Sequence, residues 1–122
     1  MTEMEYQPLL LADLIEEIDE DMVTVVFIVF LEDTTGVIES IETAIQEEKA
    51  IVLRKQAHKM KGSLLSIRAL NAAALAKRIE YAGDSAAFAE AAAALPEFKA
   101  EFAKVKDYID AYLIEHPVVL EA

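Results

Sequence analysis

Phe88, Ala91, Leu95, Phe98, Phe102, Val105, Ile109 and Tyr112 succeed one another at alternating spacings of three and four residues. This is the period of an α-helix with one apolar face, and a strand cannot use it. Pro96 lies inside the pattern without shifting its phase, which predicts one kinked helix rather than two helices joined by a turn. Pro117 ends the element.

The same period recurs upstream. Leu53, Ala57, Met60, Leu64 and Ile67 predict a helix from about Ala50 to Ile67. Another follows from about Ala69, with Ala72, Leu75, Ala76, Ile79 and Ala82 inward, Gly83 as its C′ residue, and Asp84 or Ser85 capping the next helix. The apolar run from Met22 to Leu31 could by itself be a buried strand. Helical spacing continues through Val37, Ile38, Ile41 and Ile45, so one long buried helix is expected from about Asp21 to Glu48. Gly36 would be tolerated inside it at a cost of roughly 1 kcal/mol. Pro8 ahead of Leu9, Leu10, Leu11, Leu14, Ile15 and Ile18 predicts a short first helix. Three glycines and three prolines are too few for a protein of many hairpins. The expectation is a single all-α domain over residues 1–122, built as a helical bundle.

Composition removes several function classes. With no cysteine there are no disulfides, thiol chemistry or cysteine-held metals. The cluster Glu16-Glu17-Asp19-Glu20-Asp21 has no convergent histidine and reads as a charged helix end, so no metal is expected. The acidic start Met1-Thr2-Glu3-Met4-Glu5 is unlike a secretory signal, and the apolar run is short of the ~20 residues of a membrane span. A soluble, cytoplasmic, monomeric protein with no membrane partner is expected. A net charge of −12 repels phosphate backbones, which argues against nucleic acid.

That charge is unevenly placed. No Asp or Glu occurs from Lys49 to Ile79, a window that holds eight cations: Lys49, Arg54, Lys55, Lys59, Lys61, Arg68, Lys77 and Arg78. The rest of the chain carries 23 acids against three bases. At the centre of this island sits His58. Residues three and four positions away share its helix face, namely Arg54, Lys55, Lys61 and Gly62, with Leu65 a turn further. The core stripe through Ala57 and Met60 is rotated away, so His58 is expected to project outward. Neighbouring cations disfavour the imidazolium and leave a nitrogen lone pair, as a nucleophile requires. Gly62 would let another backbone approach the ring, or would mark close helix packing.

The segment Ala57-His58-Lys59-Met60-Lys61-Gly62-Ser63 resembles the signature of histidine-containing phosphotransfer (HPt) domains, Ala-His-x-Leu-Lys-Gly-Ser/Ala. Phe30-Leu31-Glu32-Asp33 upstream, and Leu75, Ile79-Glu80, Ala82-Gly83-Asp84 and Leu95-Pro96 downstream, resemble the same family. The resemblance implies an up-down antiparallel four-helix bundle with an additional short N-terminal helix, here as a stand-alone protein. It implies that His58 takes a phosphoryl group through Nε2 from a receiver-domain aspartate and passes it to another receiver. Lys61 would stabilise the phosphoryl group and Gly62 would give the receiver clearance. Response-regulator receivers and a (hybrid) sensor histidine kinase would be the partners. Mg²⁺ would sit on the receiver, leaving this chain without a cofactor or an ATP-binding kinase domain. Arg54, Lys55, Lys59, Leu65 and Arg68 are the candidate partner-binding residues.

Two departures from the family pattern stand out. Arg68 replaces the glycine of a Gly-Ala pair, and Leu64 and Leu65 replace small residues. Leu64 is core by its spacing, but Arg68 and Leu65 keep a second reading open, a receiver-binding adaptor or antagonist that transfers nothing. A third, an enzyme using His58 as general base, would need a convergent carboxylate, and the acid-free window offers none locally. His116, before Pro117 at a helix end, is expected to be structural.

Overall fold

A computed structural model describes residues 6–117 of the chain; the ends of the predicted 1–122 domain lie outside the described residues. Six helical segments occur there: α1 (Leu11–Glu17), α2 (Glu20–Thr34), α3 (Val37–Gln46), α4 (Ala50–Ser66), α5 (Leu70–Asp84) and α6 (Phe88–Glu115). Segments α2 and α3 both pack on α4 and on α6, and together make one side of an up-down four-helix bundle. The other sides are α4, α5 and α6, and the short α1 adjoins α2. The long final helix holds Pro96 in its interior, as its period requires.

The expected helix from Asp21 to Glu48 is instead broken after Thr34. Thr35 (φ −60°, ψ 126°) and Gly36 (φ 80°, ψ −9°) have the dihedrals of a type II turn, whose second position needs a left-handed residue. The Thr34 and Thr35 hydroxyls donate to the carbonyls of Phe30 (2.8 Å) and Leu31 (2.7 Å), occupying the last turn of α2. Glycine is therefore required at position 36 rather than tolerated. Buried positions Val23, Phe27, Phe30, Thr34, Val37, Ile41 and Ala44 keep the alternating helical spacing straight through the turn. The run from Met22 to Leu31 is also not wholly interior: Met22, Val25 and Val29 are exposed, because a helix buries a stripe and not its full circumference.

The connections α3–α4, α4–α5 and α5–α6 repeat one device. Glu48 (φ 53°), Arg68 (φ 63°) and Ala86 (φ 54°) each take a left-handed conformation at C′. The following N–H in each case reaches back to the helix: Lys49 to Ala44 O (2.9 Å), Ala69 to Leu64 O (2.9 Å) and Ala87 to Ala82 O (2.7 Å). These are three Schellman closures without a glycine, each carrying a conformational cost of about 1 kcal/mol. Gly83, expected at C′, lies inside α5 instead. A Cβ there would sit 2.8 Å from the Arg54 backbone nitrogen, so Gly83 serves the close approach of α5 to α4. The N-cap of α6 is Ala87, not Asp84 or Ser85. Ser85 turns its hydroxyl back to Tyr81 O (3.0 Å).

Around the core, Phe27, Ile41, Leu53, Met60, Leu64, Ile79, Phe98 and Ile109 have essentially no exposure. Phe102 stacks on Phe30 with ring centroids 6.1 Å apart, and Tyr112 meets Phe27 edge-on at 5.1 Å. No described helix is long and apolar enough to cross a membrane.

Candidate functional site

Burying Leu53, Ala57, Met60 and Leu64 turns the opposite side of α4 to solvent. Ile51, Lys55, His58, Gly62 and Leu65 run along that side, all exposed, with the His58 side chain 65 % accessible. The projection expected from helical spacing is therefore realised. An added Cβ on Gly62 would meet nothing within 4 Å, so this glycine does not serve packing inside the bundle.

The surrounding charge is not purely cationic. Glu80 of α5 crosses the seam and places Oε2 2.7 Å from His58 Nδ1, while Oε1 lies 2.7 Å from the Lys61 ammonium. The Glu80 side chain is only 14 % exposed. Burial alone would raise its pKa, but the polar contacts and charges of Lys61 and His58 outweigh burial and lower it from the ordinary carboxylate value. Glu80 is thus ionised near neutrality and can only accept, so the Nδ1 of a neutral His58 carries the hydrogen. In that neutral form Nε2 holds the lone pair.

The local absence of carboxylates in sequence does not survive folding, and Glu80 is the site residue that reading the α4 segment misses. A signal for it existed. Eleven residues before Ala69 is His58 and eleven after is Glu80, so an α4–α5 hairpin folded at that corner brings the two together.

Folding also partners much of the cationic island. Lys49 pairs with Glu47 (3.7 Å), Lys61 with Glu80 (2.7 Å), Arg78 with Glu97 (3.0 Å) and Arg68 with Glu17, while Lys77 lies 5.4 Å from the Tyr81 ring centroid. Arg54, Lys55 and Lys59 have no ion pair among the described residues. The uncompensated positive charge thus gathers around His58. Leu65 is 43 % exposed on the His58 stripe. A shallow apolar groove beside the C-terminal half of α4 is lined by Val25, Val29, Phe30, Ser63 and Ser66. Arg68 is engaged differently: its guanidinium also donates to Leu65 O (2.9 Å), and its carbonyl accepts the Leu10 N–H (3.0 Å). It ties the N-terminal segment to the end of α4. His116 caps the end of α6, stacked on Tyr112 with centroids 4.0 Å apart and Nδ1 3.0 Å from Tyr112 O.

The model of the Hpt domain family matches residues 25–112. The chain belongs to this family. Among solved structures it is similar to histidine-containing phosphotransfer protein B of Pseudomonas aeruginosa PAO1. The two are 27 % identical with a TM-score of 0.79, over 88 % of this chain and 96 % of that one. A search of curated proteins finds no match. As a member of the Hpt family the chain is a histidine phosphotransfer carrier of a phosphorelay, acting with receiver domains and kinases. The left-handed backbone at Arg68 gives a physical reason for glycine in the family's Gly-Ala pair at this corner. Here arginine takes the same conformation, with its guanidinium on Leu65 O and Glu17.

Proposed function

We propose that His58 is the phosphorylated residue, taking its phosphoryl group from a receiver aspartate and passing it to the aspartate of another receiver. The observation that carries this reading is the Glu80 carboxylate on Nδ1, which leaves a nucleophilic Nε2 on an exposed face beside an open Gly62. The Nε2 lone pair forms the N–P bond as the P–O bond of the aspartyl phosphate breaks and the aspartate carboxylate leaves. The ring, still protonated at Nδ1, becomes a phosphorylated imidazolium whose positive charge Glu80 balances. Onward transfer reverses these bond changes on a second receiver. Lys61 stabilises the phosphoryl charge, and Gly62 lets the receiver backbone approach. Mg²⁺ belongs to the receiver in this scheme, and this chain supplies the nucleophile and a docking face. Arg54, Lys55 and Lys59 steer an acidic phosphate pocket toward that face. Leu65 and the Val25–Val29 side of α2 add apolar contact, with Arg68 at its edge. The protein acts as a cytoplasmic monomer.

Incubation with a receiver domain phosphorylated by acetyl phosphate tests the reading. Phosphate should appear on this chain in an acid-labile, alkali-stable form and return to a second, unphosphorylated receiver. Tight receiver binding with no phosphate acquired would favour the adaptor reading instead.

Glu80→Gln tests the role of the carboxylate. A carboxamide cannot balance the imidazolium and can donate to Nδ1, moving the ring hydrogen to Nε2. Transfer into His58 should fall on the order of ten- to a hundredfold, as when the carboxylate partner of a metal-bound histidine is removed. Ring ¹⁵N spectra should change from the Nδ1–H tautomer to a mixture. An unchanged rate and tautomer would remove Glu80 from the mechanism.

A further inference from the structure

Ile51 lies seven residues before His58 on the exposed stripe of α4, and Leu65 lies seven residues after it. At 1.5 Å of rise per residue, the two apolar side chains bracket the imidazole at about 10.5 Å on either side. Ile51 is 66 % exposed, and Val52 beside it is exposed as well. Lys55, one of the unpaired cations, stands between Ile51 and His58.

We infer that Ile51 is a second apolar anchor for the receiver, so that the docking footprint extends toward the N-terminus of α4 as well as toward Leu65 and α2. The inference rests on the phosphotransfer reading of His58. A specific interface buries about 800 Å² on each partner, equivalent to a disc of about 16 Å radius. A disc of that size centred on His58 covers Ile51. The chemistry requires a partner aspartate at Nε2, so each productive encounter withdraws this isoleucine from water. Charge favours a receiver as the occupant, since its acidic phosphate pocket would face Lys55, Lys59 and Arg54. The partner fitting this surface carries an apolar side chain about 10 Å from its acceptor aspartate, with acidic groups between them. Exposure alone does not make an anchor. Ile114 is more exposed still, but it sits on α6, diagonally across the bundle from α4.

The experiment compares Ile51→Ser and Ile114→Ser in the full chain. The probe is a purified receiver domain, loaded with acetyl phosphate and chosen because it phosphorylates the wild-type protein. Ile51→Ser should lower the second-order transfer rate at least fivefold, equally at low and high salt, with the first-order rate at saturating receiver unchanged. Ile114→Ser should transfer like wild type. Lys55→Gln serves as the electrostatic reference, its loss shrinking as salt rises. Wild-type kinetics for Ile51→Ser, or a loss confined to the first-order rate, would overturn the anchor while leaving His58 phosphorylation in place. Failure of every receiver tested to phosphorylate the wild-type chain would overturn the relay reading, and the anchor with it.

Discussion

His58→Gln should reduce phosphate uptake from a phosphorylated receiver to background while leaving the bundle folded. The imidazole is largely exposed and belongs to no part of the core, so its loss costs only its contact with Glu80, and Lys61 remains to pair that carboxylate. The other histidine cannot substitute. His116 stacks on Tyr112 at the end of α6 and directs Nδ1 at a backbone carbonyl of its own helix. Receiver binding should survive in the variant, because the docking face keeps Lys55, Lys59, Gly62 and Leu65. The measurements are phosphate incorporation after alkaline quench, a receiver titration, and a thermal melt. Acid-labile phosphate persisting on the glutamine variant would disprove the assignment.

Gly83→Ala and Gly62→Ala should shift stability in opposite directions although the chemical change is the same. At Gly83 the new methyl would lie 2.8 Å from the Arg54 nitrogen and 3.1 Å from its Cα. Both atoms are backbone in the second turn of α4, so the methyl fits only if the end of α5 moves off α4. Overpacking of this kind costs about 1–3 kcal/mol. Since α4 and α5 also hold His58 and Glu80 in register, the variant should lose transfer activity as well. At Gly62 nothing lies within 4 Å, and alanine should gain helix propensity worth up to about 1 kcal/mol. Urea denaturation of the two variants beside wild type measures both shifts. Equal stability for Gly83→Ala would show that the helix seam is looser than its geometry implies.

These two glycines also mark what a linear reading can and cannot recover. Outward projection of His58 follows from the period of its own helix, and so do the stripes of α4, α5 and α6. The break at Thr35–Gly36 leaves no mark on the period, because a two-residue turn keeps the core stripe in phase on either side. Gly83 reads as a terminator because Gly-Asp-Ser resembles helix-ending chemistry, whereas its cause is a backbone on another helix. Glu80 belongs to the same kind: its role depends on a partner 22 residues away and becomes visible only once the α4–α5 corner is placed. The partners of Arg68, at the edge of the His58 face, are equally invisible along the chain. In three dimensions Glu17 and Leu65 claim its guanidinium.

The Glu80 contact has a kinetic meaning beyond its chemistry. On the phosphotransfer reading the reacting ring is held by one carboxylate, and both groups stand on helices that pack along their length. Its orientational freedom was given up when the bundle formed, so an arriving aspartate meets a nucleophile already aimed. The protein side of transfer then needs no rearrangement after docking. On the phosphotransfer reading, the charge around His58 would therefore act on the encounter rate as much as on recognition.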